Sequence, residues 1–296
     1  MATGYAPLPS LLPRDASIVE MAPRDGLQNE KVLIPTDKKI ELVDAISECG
    51  FERIEVTSFV SPKWVPQLAD AADVMAGIHR RPGVRYAVLT PNMVGFNAAM
   101  AAAADEVAIF ASASESFSRH NINCSIAESI ERFGPVAQAS RERGIPMRGY
   151  VSCVVECPYE GAVAPDAAAA VVEKLHALGC YEISLGDTIG RGRPEEVDRM
   201  LVTVLSYAPA TMLAGHFHDT DGWALDNIGV SLEHGLRVFD ASVGGLGGCP
   251  YAPGARGNVD TLEVAQYLSG RGYRTGLSPE KLERAAAIAH GLRSAA

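Results

Sequence analysis

Short runs rich in β-branched and aromatic residues recur along the chain at Ser17–Ala22, Arg53–Thr57, Val84–Leu89, Glu106–Phe110, Met147–Ser152, Tyr181–Leu185, Met212–His216 and Val238–Ser242. Longer Ala-, Leu- and Glu-rich stretches lie between them, among them Asp37–Glu48, Ala69–Ile78, Ile126–Glu142, Pro165–Leu178, Pro194–Ser206 and Asp221–His234. Strands alternating with helices predict parallel βαβ units. Eight such units predict an α/β fold closed as a TIM (β/α)8 barrel. Residues 260–296 add two predicted helices, Thr261–Leu268 as the eighth barrel helix and Pro279–Leu292 beyond it. Residues 1–15 read as a flexible N-terminal arm and 16–296 as a single barrel domain. The competing architecture is an open doubly wound sheet. It wants a glycine-rich phosphate loop after the first strand, and Arg24-Asp25-Gly26-Leu27 is not one.

Composition narrows the function classes. With 47% hydrophobic and 21% charged residues among 296, the chain can bury a sizeable core. A formal net charge of −10 argues against a nucleic-acid partner, which usually meets a basic surface. No apolar run approaches the roughly 20 residues of a membrane span. Six cysteines (Cys49, Cys124, Cys153, Cys157, Cys180 and Cys249) form no dense framework and read as free thiols. A cytoplasmic location is expected.

In a barrel, chemistry sits at the C-terminal ends of the strands, and four polar groups fall there. Arg24-Asp25 follows the first strand, where a surface ion pair is the plain alternative. His216 and His218 end the seventh; residues two apart on a strand share a face, so both imidazoles meet one point. The loop Gly244-Gly245-Leu246-Gly247-Gly248-Cys249-Pro250-Tyr251 follows the eighth, either a tight surface turn or a lid carrying a functional thiol. Glu55 and Asp187 are carboxylates expected just after strands two and six, where helix caps or solvated turns are the alternative. Cys153 and Cys157 lack a second pair and read as ordinary thiols rather than a zinc site. An aspartate, two histidines and an asparagine oxygen make a mixed donor set that suits Mg2+ or Mn2+.

The segments Arg24–Glu30, Thr57–Gln67, Asn121–Ser125, Arg148–Cys153, Ser184–Gly190 and Gly245–Ala252 resemble the 3-hydroxy-3-methylglutaryl-CoA lyase family, and the likeness runs from about residue 16 to 275. The cysteine-loop segment is that family's signature. The resemblance implies a TIM barrel acting on an acyl-CoA substrate, as a homodimer or homotetramer. It implies Asp25, His216, His218 and Asn258 as metal ligands, Arg24 as the catalytic arginine, Cys249 as the loop cysteine, and Glu55 and Asp187 as active-site carboxylates. Either His216 or Asp25 is the base. The implied reaction is metal-dependent cleavage of 3-hydroxy-3-methylglutaryl-CoA to acetyl-CoA and acetoacetate.

Departures from the family pattern lie near the expected pocket mouth: Phe217 between the histidines, Trp223 after them, Gly244, and Arg191 and Arg193 around Gly192. They leave the reaction type intact and bear on the acyl group. Phe217 is expected on the opposite face from the imidazoles, against a helix. Trp223 either borders the acyl pocket or merely packs. A related branched 3-hydroxyacyl-CoA is one alternative substrate. A condensing acyltransferase of the isopropylmalate synthase type is the alternative reaction, disfavoured by the Gly-Gly-Cys-Pro-Tyr loop. A catalytically dead binding barrel is the third reading, disfavoured because each catalytic position holds a competent residue.

Overall fold

A computed structural model describes residues 15–247 and 256–294. The eight expected strands are β1 (Ser17–Glu20), β2 (Arg53–Ser58), β3 (Arg85–Leu89), β4 (Glu106–Ser112), β5 (Met147–Ser152), β6 (Glu182–Asp187), β7 (Leu213–Phe217) and β8 (Val238–Ala241). Each pairs in parallel with the next, and β8 returns to β1 with Ser17 opposite Val238. The barrel is therefore closed, as expected. Around it run α1 (Thr36–Ser47), α2 (Ala71–Gly77), α3 (Met93–Ala101), α4 (Glu115–Ile122), α5 (Ile126–Arg143), α6 (Pro165–Leu178), α7 (Pro194–Val204), α8 (Ala224–Glu233), α9 (Thr261–Gly270) and α10 (Pro279–Ser294). No helix among the described residues is long and apolar enough to cross a membrane.

Local chemistry sets the element ends. Ser125 and Glu128 form a capping box at the start of α5, and Gly144 ends that helix in the left-handed region at φ +66°. β1 stops at Glu20 rather than Ala22. The Met21 carbonyl accepts from the amides of Arg24, Asp25 and Gly26 at 3.2, 2.9 and 3.1 Å, winding Ala22–Gly26 into one π-helical turn. Asp15, assigned to the arm, is instead tied down: it bridges to residue 274 and accepts from Arg274 Nε at 2.8 Å.

Two kinds of core result from the period-two alternation of the strands. Outward residues such as Ile54, Val56, Ile109, Ile183, Leu185 and Phe217 join the helices in one large apolar layer. Phe217 thus packs against the helices, as expected. The inward residues are mixed. Val19, Met21, Leu89, Ala108, Tyr150, Ala214 and Val238 form a small apolar cluster, and around it the lumen is charged. Arg53 donates to Glu182 at 2.7 and 3.1 Å. Arg148 donates to Glu182 at 2.7 Å and to Asp240 at 2.7 and 3.1 Å. All four are 2% exposed or less.

Buried charges of this kind add little net stability when paired, yet removing one partner leaves a charge stranded in a poor solvent. Arg53→Met should therefore destabilise the fold by about 3–5 kcal/mol in a denaturant titration. A loss under about 1 kcal/mol would show that water reaches the lumen.

Candidate active site

Three donor groups meet at the C-terminal end of the barrel. Asp25 arrives on the π-turn after β1, and His216 and His218 come from the end of β7. Their ligand atoms lie within 4.8 Å of one another. The two Nε2 atoms are 3.2 Å apart, and they stand 4.0 Å (His216) and 3.9 Å (His218) from Asp25 Oδ2. The donor set, one carboxylate and two imidazoles, thus fits a divalent cation.

Asn258 reaches the cluster differently from expectation. Its segment forms a bridge with His218. Its Nδ2 donates to Asp25 Oδ2 at 2.8 Å and to the Leu246 carbonyl at 3.2 Å. It therefore turns its amide nitrogen, not its oxygen, to the site. A carboxylate oxygen at hydrogen-bonding range attracts the donor end of an amide, and coordination would need that amide turned over.

Beside the cluster, Arg24 is held on two sides. Its Nε and Nη2 contact Glu55 Oε2 at 2.8 and 2.7 Å, and its Nη1 contacts Asp25 Oδ1 at 2.5 Å. The Tyr150 hydroxyl donates to the same Glu55 oxygen at 3.1 Å. The Tyr150 ring lies 5.7 Å from the guanidinium carbon. Burial opposes charge on Asp25, but Arg24 and the two imidazoles outweigh it and hold the carboxyl well below its usual range. On Glu55 burial prevails over the pull of Arg24 and lifts the pKa. Glu55 sits inside β2, not after it, so it fixes the arginine from within the lumen.

Asp187 ends β6 but does not join the donor cluster. It accepts from the amides of Gly190 and Gly192 at 3.2 and 2.9 Å, which closes the turn packed behind His218. Burial outweighs those amides and pushes its pKa up to about 6. Trp223 stands at the start of α8 with its ring 5.9 Å from the Arg193 guanidinium carbon. Cys153 and Cys157 pack with Phe117 and Val163 and are free thiols. Cys249 lies outside the described residues.

Sequence reasoning missed Asp240, Ser184, Tyr150 and Glu20. Asp240, inside β8, faces His216 Nδ1 at 3.2 Å and accepts from Ser184 Oγ at 2.7 Å. For Asp240, Ser184 and Tyr150 the available signal was polar residues at inward positions of otherwise apolar strands. Glu20 ties three segments together, accepting from the Ala22 amide at 2.8 Å, the Val243 amide at 2.8 Å and Thr261 Oγ1 at 2.7 Å. The π-turn and the root of the glycine loop interlock further up. A side chain at residue 247 would meet Asn258 Nδ2 at 2.7 Å, and the backbone there has φ +97°. A side chain at residue 26 would meet Leu246 Cβ at 2.8 Å.

The HMGL-like family profile matches residues 15–288. The chain belongs to that family. It is 56% identical to the mitochondrial hydroxymethylglutaryl-CoA lyase of Bos taurus, covering 93% of this chain and 85% of that one. Among solved structures, an HMG-CoA lyase from Brucella melitensis matches at 64% identity with a TM-score of 0.94, over 95% of this chain and 99% of that one. An HMG-CoA lyase from Acinetobacter baumannii, in complex with coenzyme A and 3-methylmalate, matches at 36% identity with a TM-score of 0.90, over 96% and 93%. Curated relatives carry both mitochondrial and cytoplasmic names.

Glu20 couples folding to pH. Burial, only partly offset by its three donors, pushes its pKa from 4.5 up to about 8. The folded state keeps a proton that the unfolded state releases. This contribution is fully present below about pH 4.5 and is lost as pH rises to about 8. Glu20→Gln keeps an oxygen for the two amides and an N–H for Thr261 Oγ1. Unfolding free energy should fall less between pH 5.5 and 8.5 in the variant than in the native protein. Equal slopes would mean that Glu20 folds ionised.

Proposed function

We propose that this chain cleaves 3-hydroxy-3-methylglutaryl-CoA to acetyl-CoA and acetoacetate, with Mg2+ or Mn2+ held by Asp25, His216, His218 and a turned Asn258. The observation that carries the reading is the Arg24 guanidinium, fixed by Glu55 and Asp25 immediately beside three converging donor atoms. Relatives of this size and similarity are lyases for that thioester. The Acinetobacter enzyme's ligands, coenzyme A and a branched hydroxy-diacid, fit the two halves of such a substrate. Assembly as a homodimer or homotetramer and a cytoplasmic location belong to the same proposal.

When bound, the cation supplies Lewis-acid polarisation of the substrate's oxygens and lowers the C3 hydroxyl pKa. A base at the cluster, His216 or Asp25, takes the hydroxyl proton. The C2–C3 bond breaks as the C3 carbonyl forms, and negative charge moves to the thioester oxygen of the departing acetyl-CoA enolate. Arg24 neutralises that charge. Burial opposes its own charge, but Glu55 and Asp25 keep it protonated throughout. Because Glu55 and Asp25 hold the guanidinium before substrate arrives, little reorganisation is required when the charge develops. Cys249, on its glycine loop, returns a proton to the enolate carbon. Asp187 acts through the turn behind His218.

Two measurements test this reading. Chelator-treated protein should show no turnover of 3-hydroxy-3-methylglutaryl-CoA, and Mg2+ or Mn2+ should restore it; full activity without metal would remove the cluster from the mechanism. Arg24→Gln should lower kcat by about 10²–10³-fold or more with metal content unchanged. A raised KM with native kcat would reduce Arg24 to a substrate-binding group.

A further inference from the structure

His216 uses both ring nitrogens. Its Nε2 points into the donor cluster, 3.2 Å from His218 Nε2, and its Nδ1 lies 3.2 Å from Asp240 Oδ2. Asp240 is fully enclosed and cannot turn. Its Oδ1 accepts from Arg148 Nη2 at 2.7 Å, and its Oδ2 accepts from Arg148 Nη1 at 3.1 Å and Ser184 Oγ at 2.7 Å. Arg148 is itself held from the far side by Glu182 at 2.7 Å and donates to the Tyr150 hydroxyl at 2.8 Å. Every neighbour of Asp240 except the imidazole is committed to donating, and the carboxylate has no proton to give.

We propose that Asp240 is a positioning residue that holds His216 as the Nδ1–H tautomer and thereby commits its Nε2 to the metal. The inference rests on the metal reading given above. An imidazole in water prefers neither orientation strongly and rotates freely, whereas a ring whose Nδ1–H is anchored presents a bare Nε2 in one direction. Outer partners of this kind typically govern metal affinity by about 10–100-fold. With Nδ1 bound to Asp240 and Nε2 to the ion, His216 has no nitrogen left for the hydroxyl proton. It is a ligand and not the base.

Asp240→Asn discriminates. An amide there must place an N–H against either Arg148 or His216, where each needs an acceptor. Calorimetric titration of Mn2+ into metal-free protein should show affinity about 10–100-fold weaker in the variant, with unfolding temperature as the control for structure. Affinity within twofold of native in a folded variant overturns the role of Asp240 alone. A native protein that binds no Mn2+ overturns the metal reading and this inference together. Should Asp240→Asn fail to fold, the native protein decides. In its Mg2+-loaded form, nitrogen-15 NMR should show His216 protonated at Nδ1 and bare at Nε2. A proton on Nε2 overturns the proposal.

Discussion

Arg148 lies inside the barrel, 1% exposed, and holds Glu182 on one side and Asp240 on the other. A guanidinium in that position costs a great deal to desolvate, and only close opposite charges offset the cost. The surrounding strands therefore have little freedom to shift. A small displacement of β5, β6 or β8 would lengthen a contact that has no water to replace it. Most barrels fill this space with branched aliphatic side chains. Here the polar filling runs from Arg53 at the lower end, through Glu182, Arg148 and Asp240, to the imidazole of His216. The floor of the candidate active site and the core of the barrel are thus one hydrogen-bonded structure.

Around the rim, position is set by backbone crowding as much as by charge. The π-turn after β1 carries Arg24 and Asp25, and the segment after β8 carries Asn258. These pieces are far apart in sequence, and they meet only where β1 and β8 lie side by side. Glu20 bonds to both, while Gly26 and Gly247 let the two backbones pass within contact distance. The residues leading up to Gly247 are consequently packed on the same turn that carries the arginine.

Much of this was legible in the sequence, for identifiable reasons. Short β-branched runs separated by Ala-, Leu- and Glu-rich stretches disclosed the eight strands, since each strand has one face against the helices. His216 and His218 were legible because an alternation of imidazoles at a strand end has few structural uses. Asp25 and Arg24 needed the family resemblance, because an ion pair in a turn is ordinary on its own. Glu55 was expected at a strand end and lies within β2, since a carboxylate in mid-strand reads as unfavourable until its arginine is known. Asp240 and Arg148 were overlooked for the same reason: their partners come from other strands, and one-dimensional patterns carry no information about who faces whom across a lumen. The π-turn at Ala22–Gly26 has no periodic signature at all.

The pairing of Ser17 with Val238 has a consequence for how the protein comes into being. Contacts between chain ends are slow to form because a long loop must close first. The arginine turn cannot meet the histidines until that seam is made. A chain synthesised only as far as β6 has the β1 turn but neither histidine, so the donor cluster is not assembled in it. A cation at the donor cluster would favour the sealed barrel over the open one by mass action. A cation held by Asp25, His216 and His218 would therefore clasp the first strand to the seventh.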